Sequence, residues 1–305
     1  MRRRHFLALV GMGALAGCGS EDGGDADGGP TPSDTPASTV SSTPTVTPSA
    51  TATATRAPAE FELAEYDVPD TVEIDEEFMV EITVRNTGGQ VGDFEAPLYI
   101  RTPETEWQEG GTWSWLAVGS GHTKAATSAS AWSFSYINRY EIRLGTFEQT
   151  ATIQTVSATM AWGGEYTTPA GYRIRVEQPD VQPTYESEDY DGSIEDVEPE
   201  SGGQWAFATI WVKNETGQAD YSPLASEFGL LYGNKQADGD TILTDDPINR
   251  GEPFEGGELQ PGVERSGWIA FQIPDDLGVD DLTMAWSEDT YEGQISARWG
   301  SEKEA

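Results

Sequence analysis

Residues Gln204 to Lys213 read QWAFATIWVK and run into Asn214-Glu215-Thr216-Gly217. The stretch is apolar at odd and even positions alike and is rich in β-branched and aromatic residues, as a strand covered on both faces must be. Its neighbours show the period of two expected of half-covered strands. Phe78, Val80, Ile82 and Val84 alternate with Met79, Glu81, Thr83 and Arg85 before Asn86-Thr87-Gly88-Gly89 breaks the run. Tyr172, Ile174 and Val176 alternate with Arg173, Arg175 and Glu177, and Ser266 to Ile273 (SGWIAFQI) and Gln294 to Trp299 (QISARW) complete the series. No window of eleven or more residues carries a helical period with caps. The expected fold is all-β, built as two tandem β-sandwiches.

Two internal echoes support a pair of similar units. Arg85-Asn86-Thr87-Gly88 corresponds to Lys213-Asn214-Glu215-Thr216-Gly217, and Thr159-Met160-Ala161-Trp162 recurs as Thr283-Met284-Ala285-Trp286. The expected division is residues 60–166 for the first sandwich and 167–305 for the second, separated by the Gly-containing segment from Gly163 to Gly171.

The chain before residue 60 has a different character. Arg2-Arg3-Arg4 precede an apolar run from Phe6 to Leu15, which closes on Leu15-Ala16-Gly17-Cys18. Roughly 20 apolar residues are needed to cross a bilayer, so this run is too short to span one and reads as a signal peptide over residues 1–17. Arg3-Arg4-His5-Phe6-Leu7 matches the twin-arginine export pattern, and the close resembles a prokaryotic lipobox. The resemblance implies export, lipidation of Cys18 and anchoring to the outer face of the cytoplasmic membrane. A buried acyl methylene contributes about 0.8 kcal/mol, so a two-chain anchor holds where one chain would not. Residues 18–59 are acidic and Gly-rich, then Thr/Ser/Pro-rich, and hold no aromatic side chain. Nothing there offsets the entropy of ordering, so the segment reads as a disordered linker or stalk, O-glycosylated or bare.

Charge narrows the function. The chain carries 17 Lys+Arg against 53 Asp+Glu, a net charge of -36. A nucleic-acid partner is excluded on that balance, since phosphate recognition needs Lys and Arg. Acidic residues are spread through both halves and only four lysines occur (Lys124, Lys213, Lys235 and Lys303). This resembles the proteome signature of halophilic archaea, whose proteins work where salt shortens the Debye length to about 3 Å and silences such self-repulsion.

The segment Asp67 to Gly89 is similar to the opening of the cell-adhesion-related immunoglobulin-like domains of prokaryotic surface proteins. Ala208 to Gly217, Glu227 to Tyr232 and Leu259 to Pro274 resemble the telokin-like, immunoglobulin-fold extracellular domains of prokaryotic lipoproteins. Both resemblances imply a binding or spacing module without catalytic residues.

The residues agree with that implication. One cysteine excludes an internal disulfide, and His122 is the single imidazole beyond the leader. No nucleophile elbow, P-loop or zinc-protease motif occurs, so no catalytic residue and no cofactor is assigned. Aromatic side chains crowd Trp107 to Tyr140. Trp107, Trp113 and Trp115 lie in a Gly-rich stretch and are candidates for stacking on an envelope glycan, while Trp132, Phe134 and Tyr136 read as core. Glu186 to Glu200 holds eight carboxylates, of which Asp189, Asp191 and Glu195 are weak candidates for calcium; in so acidic a chain a solvated loop is the better reading, and no metal is assigned. Asn214-Glu215-Thr216 is an N-glycosylation sequon that also occupies an expected hairpin turn. The expected function is cell-surface binding or adhesion without catalysis. The alternatives are a spacer or accessory subunit recognising another envelope protein, or a glycan-binding module.

Overall fold

The computed structural model describes residues 55–128, 131–145, 147–189, 191–200, 202–241, 243 and 247–301, and only the backbone of Trp115, Leu116 and Ala126. The leader, Cys18 and nearly all of the linker lie outside the described residues. What is described is all-β, with two short 3-10 turns at Ala225–Glu227 and Val279–Asp281. Among the described residues no helix is long and apolar enough to cross a membrane.

The first sandwich packs a three-stranded sheet on a five-stranded one. Glu81–Asn86 lies between Phe61–Asp67 and Thr123–Thr127, antiparallel to both. The facing sheet runs Thr71–Glu73, Thr150–Val156, Arg139–Leu144, Gly92–Arg101, Gln108–Val118, with a parallel pairing at the Thr71–Glu73 edge. The alternation expected around residue 80 is present: Phe78, Val80, Ile82 and Val84 are buried, while Met79 is 46% exposed. They meet Phe94, Leu98, Ile142, Leu144 and Ile153 from the facing sheet.

In the second sandwich Gln204–Asn214 is the central strand. One edge pairs with Tyr172–Val176 and then Asp180–Gln182, the other with Glu264–Ile273 along ten residue pairs. Ala206, Ala208, Ile210 and Val212 face the main core. On the reverse face Trp205 and Phe207 enter a second cluster with Tyr185, Trp268 and Ala270. An acidic hairpin, Tyr185–Glu188 with Ile194–Val197, contributes Tyr185 and the flanking Val197 to that cluster. This accounts for an apolar sequence on both faces. The opposing sheet runs Lys235–Asp238, Phe228–Tyr232, Leu282–Thr290, Gly293–Gly300, Ala158–Ala161.

The two echoes have different origins. Asn86 and Asn214 are both fully buried and occupy the same kind of corner. The Asn86 amide nitrogen Nδ2 donates to the carbonyls of Gln90 (2.8 Å) and Val118 (2.9 Å), and Oδ1 accepts from the Gly88 N–H (2.9 Å). Asn214 Nδ2 donates to Gln218 (2.9 Å) and Leu259 (2.7 Å), and Oδ1 accepts from Thr216 N–H (2.8 Å). The backbone matches too: Asn86 exchanges bonds with His122 and Gly121, Asn214 with Val263 and Gly262. A buried amide with its donors and acceptor filled pins a strand end to two passing loops. The TMAW echo is different. Met160 and Met284 both pair with Trp299, on opposite edges of Gly293–Gly300, so both copies lie in one sheet of the second sandwich.

Hence Ala158–Ala161, within the span expected of the first sandwich, and Glu165–Thr167, at its expected end, hydrogen-bond to strands of the second. The chain changes over at Ser157, and the junction is tightly made. Ile74, 2% exposed, leaves the first sandwich to join the second core. Asp75, held at a positive φ of 62°, accepts hydrogen bonds from Ser135 (2.7 Å) and from Tyr166 of the second sandwich (3.1 Å). Glu73 accepts from Thr159 N–H (2.8 Å), Ser157 bonds Ser296 (2.9 Å), Ile137 N–H donates to Gln294 (2.8 Å), and the Tyr136 hydroxyl bonds Glu292. Burial, with the neighbouring Glu292 and Asp75 carboxylates, raises the Tyr136 and Tyr166 hydroxyls above the usual tyrosine range. Both stay neutral donors at ordinary pH.

Candidate functional site

The three candidate tryptophans separate. Trp113, on the edge strand Gln108–Val118, is 9% exposed and belongs to the first core. It offers no ring face to a ligand, which corrects the expectation of a stacking platform there. The side chain of Trp115 lies outside the description. Trp107 is half-buried just before that strand, and two guanidiniums approach it: Arg101 and Arg143 Cζ each lie 4.5 Å from its ring centroid.

The register explains the grouping. On Arg139–Leu144 the residues Tyr140, Ile142 and Leu144 point into the core, which sends Arg139, Glu141 and Arg143 to the outer face. Tyr99 is opposite Arg143 and Arg101 opposite Glu141 on the neighbouring strand. Arg143 Cζ is 5.3 Å from the Tyr99 ring, so it touches two aromatic systems. Arg101 binds Glu141 through Nε (2.7 Å) and Nη2 (2.6 Å). Arg143 and Arg139 make no ion pair among the described residues. Sequence reading singled out Trp107 for its ring; the arginines beside it were legible only as outward positions of strands, and their convergence needed the strand register.

A second cluster lies on the outer face of the second sandwich, around a shallow cleft lined by Glu165, Arg173, Arg175, Trp211, Lys213 and Glu264. Its cations are already engaged. Arg173 pairs with Glu165 (3.3 Å) and Glu215, Lys213 with Glu215 (3.1 Å), and Arg175 with Glu177 (3.1 Å) while lying over the Trp211 ring. Hydrogen bonds from Arg173 and Lys213 hold the Glu215 carboxyl below its usual range. With four carboxylates on three cations this cluster neutralises itself.

Asp189, Asp191 and Glu195 belong to the acidic hairpin and its turn. Asp191 Oδ1 accepts a turn-closing bond from Ser193 N–H (2.9 Å), and hydrogen bonds from the Ser193 side chain and then its backbone lower the Asp191 pKa. Glu195 is exposed on the second strand of the hairpin. No group of three His, Cys, Asp or Glu among the described residues is arranged to hold a metal ion. Asn214 is no acceptor for a glycan in the folded protein, because both Nδ2 hydrogens are donated inside a fully buried corner. That corrects the reading of the sequon: its asparagine is the corner amide. Asn86, its partner in kind, carries no sequon and was visible from sequence only as a strand-ending turn.

The fold and these surfaces define an all-β protein of two packed sandwiches with its polar chemistry on outer sheet faces. Residues 176–295 match a family model described as a domain of unknown function, DUF4352, which supports the immunoglobulin-like β-sandwich assignment for the second unit. Similar solved structures include the yjhA protein from Bacillus subtilis, at 14% identity over 47% of this chain and 99% of that one, with a TM-score of 0.36. Others are an uncharacterized β-sandwich protein from Clostridium difficile 630 (13% identity, 48% and 95% covered, TM-score 0.31) and red sea bream transglutaminase (12%, 82% and 32%, TM-score 0.30). No curated protein matches the chain. At these similarities none of the structures bears on function.

Proposed function

We propose that the protein is exported by the twin-arginine route in a halophilic prokaryote and lipidated on Cys18. It then stands on its Thr/Ser/Pro-rich stalk at the outer face of the cytoplasmic membrane as a non-catalytic binding or adhesion protein. The observation that supports this reading is the junction between the sandwiches. A core residue from one unit is seated in the other, and five hydrogen bonds cross the junction, from which we infer that the two units move as one body. The stalk enters that body at the Asn86 corner, where Gly89 N–H bonds Ala57 O (3.1 Å) and the Gln90 side chain bonds Arg56 O (2.6 Å). Gly88 is required there, since a Cβ would lie 2.1 Å from Pro58 O. A head carried on a Thr/Ser/Pro-rich stalk presents a surface outward, which is what a binding protein needs. The spacer reading draws on the edge strand Gln108–Val118, which among the described residues pairs on one side only and leaves backbone groups for an added strand from another envelope protein.

Replacing Cys18 with Ser tests the anchor: the protein should move from the membrane fraction to the medium, and continued retention would contradict it. The salt adaptation predicts a melting temperature that climbs between dilute buffer and molar KCl; a flat response would oppose a halophilic origin.

A further inference from the structure

In a chain with three acidic residues for each basic one, cations that are not ion-paired stand out. Two surfaces concentrate arginine, and they differ. The cluster around Arg173 is closed by its own carboxylates. On the outer face of the first sandwich, Arg101 is paired with Glu141, while Arg139 and Arg143, on either side of Glu141 along the strand, make no ion pair among the described residues. Arg143 is also the more desolvated of the two: its Nε is buried with no hydrogen-bond partner among the described residues, and the Trp107 and Tyr99 rings flank it. Cation–π contact fixes the guanidinium plane without consuming its N–H donors. A planar fork held in this way is pre-organised for a planar or tetrahedral oxyanion, with less side-chain entropy to lose on binding.

We propose that this face, centred on Arg143 and flanked by Arg139, Trp107 and Tyr99, binds an acidic glycan. The carboxylate or sulfate of the sugar sits on the Arg143 fork, and the ring packs beside Trp107. Thr150 stands opposite Arg143 on the adjacent strand, which adds a neutral hydroxyl suited to sugar hydroxyls; Gln154, opposite Arg139, donates from Nε2 to the Asn138 and Thr155 carbonyls and offers its Oε1 as an acceptor. Molar salt screens long-range attraction, so recognition there depends on contacts of this short, bidentate kind. An acidic peptide could satisfy Arg143 but gives no use to the neutral Thr150 hydroxyl beside it. The proposal rests on the reading of the protein as a binding module, and its failure would leave the anchor and the rigid junction untouched.

The test is a tryptophan-fluorescence titration of the full chain carrying Cys18→Ser, in molar KCl. The probes are polygalacturonate, heparin, neutral dextran and polyglutamate. Saturable binding of polygalacturonate assigns the carboxylate, of heparin the sulfate; either supports the proposal when dextran does not bind. Arg143→Gln and Trp107→Ala should each weaken that binding at least tenfold at unchanged melting temperature, while Arg175→Gln leaves it as it was. If Arg143→Gln fails to fold, Arg143→Lys keeps the charge, loses the fork and should still bind at least threefold more weakly. The proposal is overturned if neither polysaccharide binds, if dextran binds as well, if the Arg143 variants bind like the parent, or if polyglutamate binds as tightly as the polysaccharides.

Discussion

The two sandwiches share a corner and differ in what lies behind their central strands. Asn86 and Asn214 each spend a whole side-chain amide on two passing carbonyls and one turn N–H, so the same device closes both units. Behind the corner they diverge. Glu81–Asn86 buries one face only, and Glu81, Thr83 and Arg85 remain at the surface. Gln204–Asn214 buries both faces over its first half, because Trp205 and Phe207 carry a second aromatic cluster beneath the acidic hairpin. A shared corner therefore sets topology, while the side chains on the outer face decide how much of a sheet is available to a ligand. The first sandwich leaves its outer sheet free for Arg139, Arg143 and Trp107; the second covers half of its own and ties up the remainder in ion pairs.

The largest effect should come from the second cluster. Trp268 is 3% exposed, packs edge-on to Phe207 with centroids 5.7 Å apart, and donates from Nε1 to Gly251 O (2.9 Å). Trp268→Ala should cost about 4 kcal/mol. A substitution at the corresponding outer face of the first sandwich, Thr152→Ala, should stay within about 0.5 kcal/mol. Denaturant unfolding of the two variants checks the contrast, and equal losses would erase it. The corners come next. Asn86→Ala and Asn214→Ala each strand two carbonyls and a turn N–H, and Asn86→Ala also releases the Glu60 N–H, for a loss of about 3 kcal/mol at either site. The two losses should agree to within about 1 kcal/mol, and a mild effect at either site would mean the corners are alike only in outline.

The smallest effect concerns pH. Burial, and then the nearby Glu227 and Asp220, raise the Glu288 pKa in the second sandwich. A carboxyl raised on folding favours its protonated form in the native state, so its charge opposes folding fully above the folded pKa, and that penalty fades as pH falls from the folded to the unfolded pKa. Glu288→Gln should therefore melt slightly higher than the parent at pH 7, by a few degrees at most, with the gain vanishing on acidification. A gain that grew with acid would reverse this assignment.

Much of this was legible in the residues. The alternation at Phe78 to Val84 and at Tyr172 to Val176 marked inner and outer positions because burial is the only reason for a period of two. The two-faced run at residue 204 announced a covered strand. The Asn echo was visible, but its meaning was not: a sequon and a corner asparagine read the same until burial is known. The TMAW echo misled because four residues cannot say whether they repeat between domains or within one sheet. Trp107 could be picked out by composition and Trp113 could not be told from it. The difference depends on which side of Gln108–Val118 each ring occupies. Arg143 escaped notice altogether, since an outward arginine on a strand is ordinary until register brings Tyr99 and Trp107 to its sides.

The central claim, that both sandwiches form one rigid head, has a direct test in a spin-label distance measurement. With Cys18→Ser as background, cysteines at exposed Val91 in the first sandwich and Lys235 in the second carry the labels. One narrow distance distribution, unchanged between dilute and molar salt wherever the protein is folded, is the expected result. A broad or two-peaked distribution in the folded protein would contradict it and return the molecule to two beads on a hinge.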